Sequence, residues 1–261
     1  MEAVLVVAVA FVASGLTLFS GFGLGTLLLP AFALLWPAEV ALGATAVVHL
    51  ANNVFKLALV GRAAAWAVVG RFGLPALAGA VAGAALLVAL AEAPALFTYT
   101  TFGVPHTVRA LPLVLGLLIV GFAVLETRPA FARLAVPTRF LPWGGLASGF
   151  LGGLSGLQGA LRSAFLLKTG LEPAAFIATG AVIAAGVDGA RLLVYGLAHA
   201  TTPFAPLPAD AWPLVGLATA AAFLGAVVGA RLIPKLTVGA VRAGVALALG
   251  LMGSAMAAGL I

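Results

Sequence analysis

The chain of 261 residues has no cysteine, few charged side chains and only three histidines. The absence of cysteine excludes disulfide bonds, thiolate metal sites and persulfide relays. Only 8% of the residues are charged, against about 25% in soluble domains, which excludes a soluble globular protein. No catalytic set, metal-ligand cluster or phosphate loop stands out, so the sequence predicts no enzyme and no metal or cofactor.

The sequence is rich in long runs of apolar residues and in glycine. Hydrophobic residues make up 64% of the chain, and 33 residues are glycine. Such a composition predicts an integral membrane protein whose helices pack closely in the lipid bilayer. The net charge of +6 indicates membrane orientation, because Lys and Arg concentrate on the cytoplasmic side. We therefore expect no nucleic-acid partner.

Each half of the chain contains five apolar segments. A spanning helix needs about 20 apolar residues, and the third to fifth segments of each half are long enough or nearly so. The second segment of each half is too short. We expect an all-α membrane protein whose halves each contain a broken or re-entrant helical hairpin and about three spanning helices. Five short spanning helices per half remain an alternative. The segments are 3–19, 24–36, 40–60, 66–90, 110–125, 141–154, 158–169, 172–197, 211–233 and 238–261.

The two halves repeat each other in sequence. The stretch Pro37–Thr45 resembles Leu171–Thr179, which follows 134 positions later. A polar segment with two prolines separates the halves. The sequence thus predicts membrane repeat 1 over residues 1–125, a cytoplasmic linker over 126–140 and membrane repeat 2 over 141–261.

The positions of the basic residues predict the topology. Three regions hold most of them: the loop after the third segment, the central linker and the last loop. The positive-inside rule places all three in the cytoplasm. This requires an odd number of crossings in each half, so the repeats are inverted and both termini lie outside. The residues are Arg62, Arg71, Arg128, Arg133, Arg139, Arg231, Lys235 and Arg242.

A glycine-rich break interrupts the apolar run near the start of each half, at Gly21–Pro30 and at Gly152–Gly159. Paired breaks of this kind indicate the binding site of a transporter. The short helices beginning near Gly25 and Gly159 would direct their N-terminal N–H groups at the membrane midplane, where they suit an anion. Close helix packing is the alternative explanation of such glycines.

The third segment carries a polar stripe. Thr45, His49, Asn52 and Lys56 are spaced i, i+4, i+7 and i+11 on one helical face, with Asn53 beside them. Polar groups at membrane depth are costly and often functional, and these supply hydrogen-bond donors for an anion. Alternatively, the two asparagines pack against other helices and the lysine reaches the cytoplasmic interface.

The equivalent positions of the second half are nearly apolar, which predicts an asymmetric site. Asp188 and Arg191 lie on another face of that helix and form an i,i+3 ion pair. The alternative is that Asp188 takes up a coupling proton. Gln158 and Arg162 come at the end of the second break and just after it. We expect Arg162 to hold an oxyanion bidentately. The alternatives are a salt bridge and contact with the lipid headgroups.

The candidate residues form two groups. The predicted substrate-binding residues are Gly21, Gly23, Gly25, Thr26, His49, Asn52, Asn53, Gly156, Gln158, Gly159 and Arg162. The predicted ion-pair or coupling residues are Lys56, Asp188 and Arg191.

The chain resembles the sulfite exporter TauE/SafE family of membrane permeases over nearly its whole length. The resemblance rests on the break that ends in Pro30, the stretch Pro37–Thr45, the polar third segment and the duplicated second half. The family has a proline after its second break, where this chain has Ala164 and Phe165. The resemblance implies movement of small sulfur-containing anions such as sulfite or organosulfonates, often outward.

We therefore expect a secondary transporter of small oxyanions in the cell inner membrane. Relative motion of its two halves would give the anion access to alternate sides of the membrane. Its partners would be the anionic substrate, a coupling proton or cation, the lipid bilayer and a second copy in a homodimer. An anion channel and a non-transporting assembly factor are the alternatives.

Overall fold

The computed structural model describes residues 2–16, 24–128, 134–201, 207–232 and 238–261. Among these residues, five α-helices precede the central linker and five follow it, so the expected all-α architecture is confirmed. The helices are α1 (Glu2–Leu16), α2 (Leu24–Ala33), α3 (Ala38–Val60), α4 (Trp66–Glu92), α5 (Ala110–Thr127), α6 (Leu141–Ser155), α7 (Gly159–Leu166), α8 (Pro173–Thr201), α9 (Trp212–Leu232) and α10 (Val238–Ala257).

Four helices of the described chain, α3, α4, α8 and α9, are long and apolar enough to cross a membrane. The apolar stretches of α5 and α10 are shorter. Large apolar side chains such as Leu193, Leu217 and Leu251 are exposed on the helix surfaces, where a soluble protein would carry polar groups. These are the features of a multi-pass membrane protein.

The helices beside the glycine breaks are short. α1 and α6 have 15 residues each, while α2 has 10 and α7 has 8. At 1.5 Å per residue, even the longer pair extends only about 22 Å, against about 30 Å for the hydrocarbon core. The second segment of each half thus forms a helix shorter than the roughly 20 residues that a single crossing needs. Whether it re-enters or crosses stays a prediction.

A β-hairpin follows α4, in the interval between the fourth and fifth predicted apolar segments, for which the sequence predicted no element. Strands β1 (Ala95–Thr101) and β2 (Val104–Arg109) are antiparallel and joined by Phe102 and Gly103. Both turn residues have positive φ, 51° and 80°, as in the tight turns that match strand twist. Alternating Thr, Tyr and Phe around an x-Gly turn was the signal for this hairpin.

The helices pair in a pattern that is symmetric in the two halves. α1 packs along α9, and α4 packs along α6. α3 packs on α8, and α5 packs on α10. If each helix is replaced by its equivalent in the other half, α1–α9 becomes α6–α4, while α3–α8 and α5–α10 each become themselves. Two related repeats produce this symmetry. The inversion of one repeat in the membrane stays a prediction.

Glycines bring the pairs α4–α6 and α1–α9 into backbone contact, and we call these two pairs the cross-half pairs. A Cβ added to Gly149 would collide with the carbonyl oxygen of Ala76, and one added to Gly225 would collide with that of Phe11. Small residues allow this close approach, which drives helix association in lipid. Each pair therefore joins helices of different halves. The α4–α6 glycines are Gly79, Gly83, Gly145, Gly149 and Gly153.

Candidate functional site

The second glycine break is a helix end formed by Gly156. α6 ends at Ser155, and Gly156 has φ of 77°, a left-handed conformation that disfavours residues with a Cβ. Its N–H donates to the carbonyl oxygen of Gly152 at 2.9 Å, which satisfies the end of the helix. A Cβ on Gly25 would lie 3.2 Å from the Gly156 carbonyl oxygen. The start of α2 therefore touches this turn, and the two halves meet there.

The other residues predicted at the breaks divide into described and undescribed ones. Gly21 and Gly23 lie outside the described residues. Thr26 is buried in the first turn of α2, and Gly159 is the first residue of α7. Both short helices thus begin beside the turn.

Asp188 is the centre of a buried polar network that joins the halves. His49 Nδ1 lies 2.5 Å from Asp188 Oδ2, and Asn53 Nδ2 donates to the same oxygen at 3.3 Å. His49 and Asn53 belong to α3 and Asp188 to α8, so the contacts cross between the repeats. Asn53 Nδ2 also lies 3.2 Å from His49 Nδ1. A carboxylate accepts hydrogen bonds, so we assign the proton between His49 and Asp188 to His49 Nδ1.

Arg191 connects this network to the second break. Its NH2 atom lies 2.9 Å from Asp188 Oδ1, an ion pair in which neither side chain is exposed to solvent. Its NH1 donates to the Gly152 carbonyl oxygen at 3.4 Å, in the last turn of α6. A cation there offsets the partial negative charge of the helix end. We call His49, Asn53, Asp188 and Arg191 the polar network.

Asn52 offers a buried donor beside the network. Ser14 donates to its Oδ1 at 3.2 Å, which connects α1 with α3. Its Nδ2 is buried and has no hydrogen-bond acceptor among the described residues. A buried donor without an acceptor costs about 1–3 kcal/mol, so it is expected only where a ligand or function compensates.

Gln158 offers a second such donor, at the break itself. It is 1% exposed, and its backbone carbonyl accepts from Ser148 at 3.2 Å. Its Oε1 accepts from Arg162 NH1 at 3.1 Å. Its Nε2 is buried, with no acceptor in the described part of the chain. Each half thus supplies one side-chain amide N–H group whose hydrogen bond no described residue accepts.

One cation, Arg162, lies beside the Gln158 amide. Arg162 is on α7 and interacts electrostatically with Asp188 and with Lys56 of α3. Its Nε lies 3.6 Å from where a Cβ of Gly180 would be, so the side chain runs along α8. The region therefore combines positive charge with amide donors, which suits a small oxyanion.

Two polar residues of the site were missed by sequence interpretation. Ser14 holds the Asn52 amide, and the Tyr195 hydroxyl donates to the Gly153 carbonyl oxygen at 2.9 Å. Tyr195 follows Arg191 by four and Asp188 by seven positions, and this helical spacing was an available signal. Ser14 gave no such signal, because its partner lies on another helix.

Comparison with known proteins places this sequence in a family. The family model described as Sulfite exporter TauE/SafE matches residues 6–256. Comparison with curated proteins and with solved structures gives no match. Within the described residues, no group of three or more His, Asp or Glu side chains could hold a metal ion. The match covers nearly the whole chain, and the chain belongs to the sulfite exporter TauE/SafE family of membrane permeases.

Proposed function

We propose that the protein is a secondary transporter of small sulfur-containing oxyanions, such as sulfite or organosulfonates, in the cell inner membrane. Membership of the family supports transport. The observation that carries the proposal is the pair of buried amide donors, Asn52 Nδ2 and Gln158 Nε2, that no described residue accepts. Sulfite and sulfonate oxygens only accept hydrogen bonds, so they complement such donors.

The anion would lie where the second break meets α2. Asn52, Gln158 and Arg162 would donate to its oxygens, and Gly159 would contribute the N-terminal N–H groups of α7. Arg162 suits this role because a guanidinium presents several donors in one plane to an oxyanion. Thr26 would line the same place. The glycines would leave room for the anion there because they have no side chain; they are Gly21, Gly23, Gly25 and Gly156.

Access would alternate by motion of the cross-half pairs. The expected motion of one sequence half against the other would separate α4 from α6 and α1 from α9, which pack backbone against backbone. Each pair contains one helix next to a break, α1 or α6. We therefore propose that the pairs α1–α9 and α4–α6 move as bodies and open the site to alternate sides.

We also propose the inverted orientation of the repeats, with both termini outside and the linker in the cytoplasm. The symmetric pairing of helices supports a repeat, and the distribution of Lys and Arg supports its inversion. In this arrangement the two breaks approach the midplane from opposite sides, as a substrate site between inverted repeats requires.

Replacing Asn52 by Ala should weaken transport more than it weakens the fold. Hydrogen bonds to charged groups contribute about 1.5–3 kcal/mol, so we expect KM for sulfite uptake into proteoliposomes to rise by about ten- to hundredfold. The measurement is initial uptake against sulfite concentration, with the unfolding midpoint of the purified variant recorded beside it.

Thr219→Ala is the matched control, because it removes one polar group from a membrane helix away from the breaks. Among the described residues, the Thr219 hydroxyl donates within its own helix, α9, to the Val215 carbonyl oxygen at 2.8 Å. We expect wild-type uptake from this variant. If Asn52→Ala folds and retains the wild-type KM, Asn52 is not part of the site.

A further inference from the structure

We propose that the β-hairpin formed by β1 and β2 docks on the lipid bilayer, with one face and the turn residue Phe102 inserted at the boundary between headgroups and acyl chains. The inference does not depend on the transported substrate and rests only on the chain being a membrane protein. Three features of the hairpin carry it: its two unlike faces, the side on which it meets the helices, and the residue at its turn.

The hairpin has an apolar face and a threonine face. Residues two apart along a strand share a face, as do residues paired directly across the hairpin. Residues 95–108 contain no Asp, Glu, Lys or Arg. The hairpin is therefore amphipathic without being charged. The apolar face carries Phe97, Tyr99, Thr101, Val104, His106 and Val108, and the threonine face carries Thr98, Thr100, Pro105 and Thr107.

Contacts with the end of α10 show which way the hairpin faces. The Tyr99 hydroxyl, on the apolar face, donates to the Ala258 carbonyl oxygen at 2.8 Å. Val108, on the same face, is buried. Because α4 ends just before the hairpin and α5 begins directly after it, the hairpin lies at one surface of the helix bundle. The apolar face is thus turned toward the helix ends and the bilayer, and the threonine face toward water.

Part of the apolar face is not covered by the helix ends. Phe97 and Val104 are 56% and 54% exposed, although they share the face of the hydrogen-bonded Tyr99. Leu260 and Ile261, which directly follow the contact with α10, are also exposed apolar side chains. The exposed apolar surface therefore continues from the end of α10 onto the hairpin. Lipid covers such a surface on a membrane protein, which is why we assign the bilayer as its partner.

The turn holds a bulky apolar residue where the backbone disfavours one. Phe102 has a φ of 51°, in the left-handed region that Gly, Asn or Asp usually occupies in two-residue turns. Its side chain is fully exposed, at 101%. In water this residue stabilises neither the turn nor a contact. Insertion of its ring into the bilayer removes apolar surface from water and so offsets the backbone cost.

A single spin label can measure the depth of each face, because the chain has no cysteine of its own. Val104→Cys puts the label on the apolar face and Thr100→Cys puts it on the threonine face, both with Phe102 in place. The labelled full chain is placed in nanodiscs of phosphatidylcholine and phosphatidylglycerol, one copy per disc. Power saturation with oxygen, which concentrates in lipid, and with a water-soluble nickel complex gives the depth. We expect the Val104→Cys label about 5–10 Å below the phosphates, the depth of interfacial amphipathic helices, and the Thr100→Cys label at or above them.

Phe102→Asn tests the turn residue without weakening the turn, because Asn followed by Gly is favoured there. Added to Val104→Cys, it should move the label outward until its nickel access equals that of Thr100→Cys. Leu217→Cys, exposed on the spanning helix α9, gives the oxygen access of a lipid-facing site and should not respond to Phe102→Asn.

Two results at one copy per disc would contradict docking on the bilayer and leave the transport proposal unaffected. One is equal nickel access of the Val104→Cys and Thr100→Cys labels. The other is an unchanged depth of the Val104→Cys label after Phe102→Asn. A Val104→Cys label that is shielded from both reagents only when two copies share a disc would also contradict it, since the face would then belong to an interface with a second copy.

Discussion

Replacing Asp188 by Asn is expected to lower the free energy of unfolding by about 3–5 kcal/mol, the cost of removing one partner of a buried ion pair. Asp188 and Arg191 are both 0% exposed, so water cannot compensate the remaining cation. The substitution also weakens the acceptor that His49 and Asn53 share. Reversible unfolding in mixed micelles measures the change.

Two further variants identify the cause of the Asp188 effect. Asp188→Asn combined with Arg191→Gln removes both charges and should recover more than half of the loss, because no unpaired charge remains. Glu172→Gln removes an exposed carboxylate just before α8 and should change stability by less than about 0.5 kcal/mol. A stability of Asp188→Asn within about 1 kcal/mol of the wild type would show that the ion pair is not a stabilising element.

The second large effect is expected where α4 and α6 touch. A Cβ on Gly149 or on Gly153 would collide with the carbonyl oxygen of Ala76 or of Ala80. Overpacking costs about 1–3 kcal/mol per site, so Gly149→Ala combined with Gly153→Ala should lower stability by about 2–6 kcal/mol. Because the added Cβ atoms would lie only 2.0 and 2.1 Å from backbone oxygens, we expect the upper part of this range. The loss would then exceed the helix-propensity gain of about 2 kcal/mol for the two glycines.

Gly121 and Gly216 provide the matched control for this pair. Both lie inside helices, α5 and α9, and a Cβ added to either has no heavy atom within 4 Å. The double change to Ala there should leave stability unchanged or raise it by up to about 2 kcal/mol. Equal effects from the two double variants would contradict backbone contact between α4 and α6.

The helical architecture and the position of the second break followed from the sequence, because apolar length and glycine spacing are local signals. The second break was placed at Gly152–Gly159, and the structure has a helix end at Ser155 with Gly156 left-handed. The hairpin at Ala95–Arg109 was missed because no element was predicted between the fourth and fifth apolar segments. Its alternating residues are a weaker signal than a run of apolar ones.

The contacts between helices could not be predicted from the sequence alone. The Asp188–Arg191 ion pair was predicted because it lies within one helix. Its contact with His49 joins residues 139 positions apart and depends on the rotation of α3 against α8. The pairs α1–α9 and α4–α6 likewise depend on which small-residue faces meet. For this reason we propose the cross-half pairs, and not the sequence halves, as the moving units.

Counterflow of sulfite is the most direct test of the claim that the protein carries a small oxyanion. Proteoliposomes loaded with unlabelled sulfite are diluted into a trace of labelled sulfite, and internal label is followed with time. The account predicts a transient accumulation of label above its equilibrium level, which excess unlabelled sulfite or sulfoacetate outside suppresses. Entry that only approaches equilibrium, or no entry beyond that of empty liposomes, would contradict it.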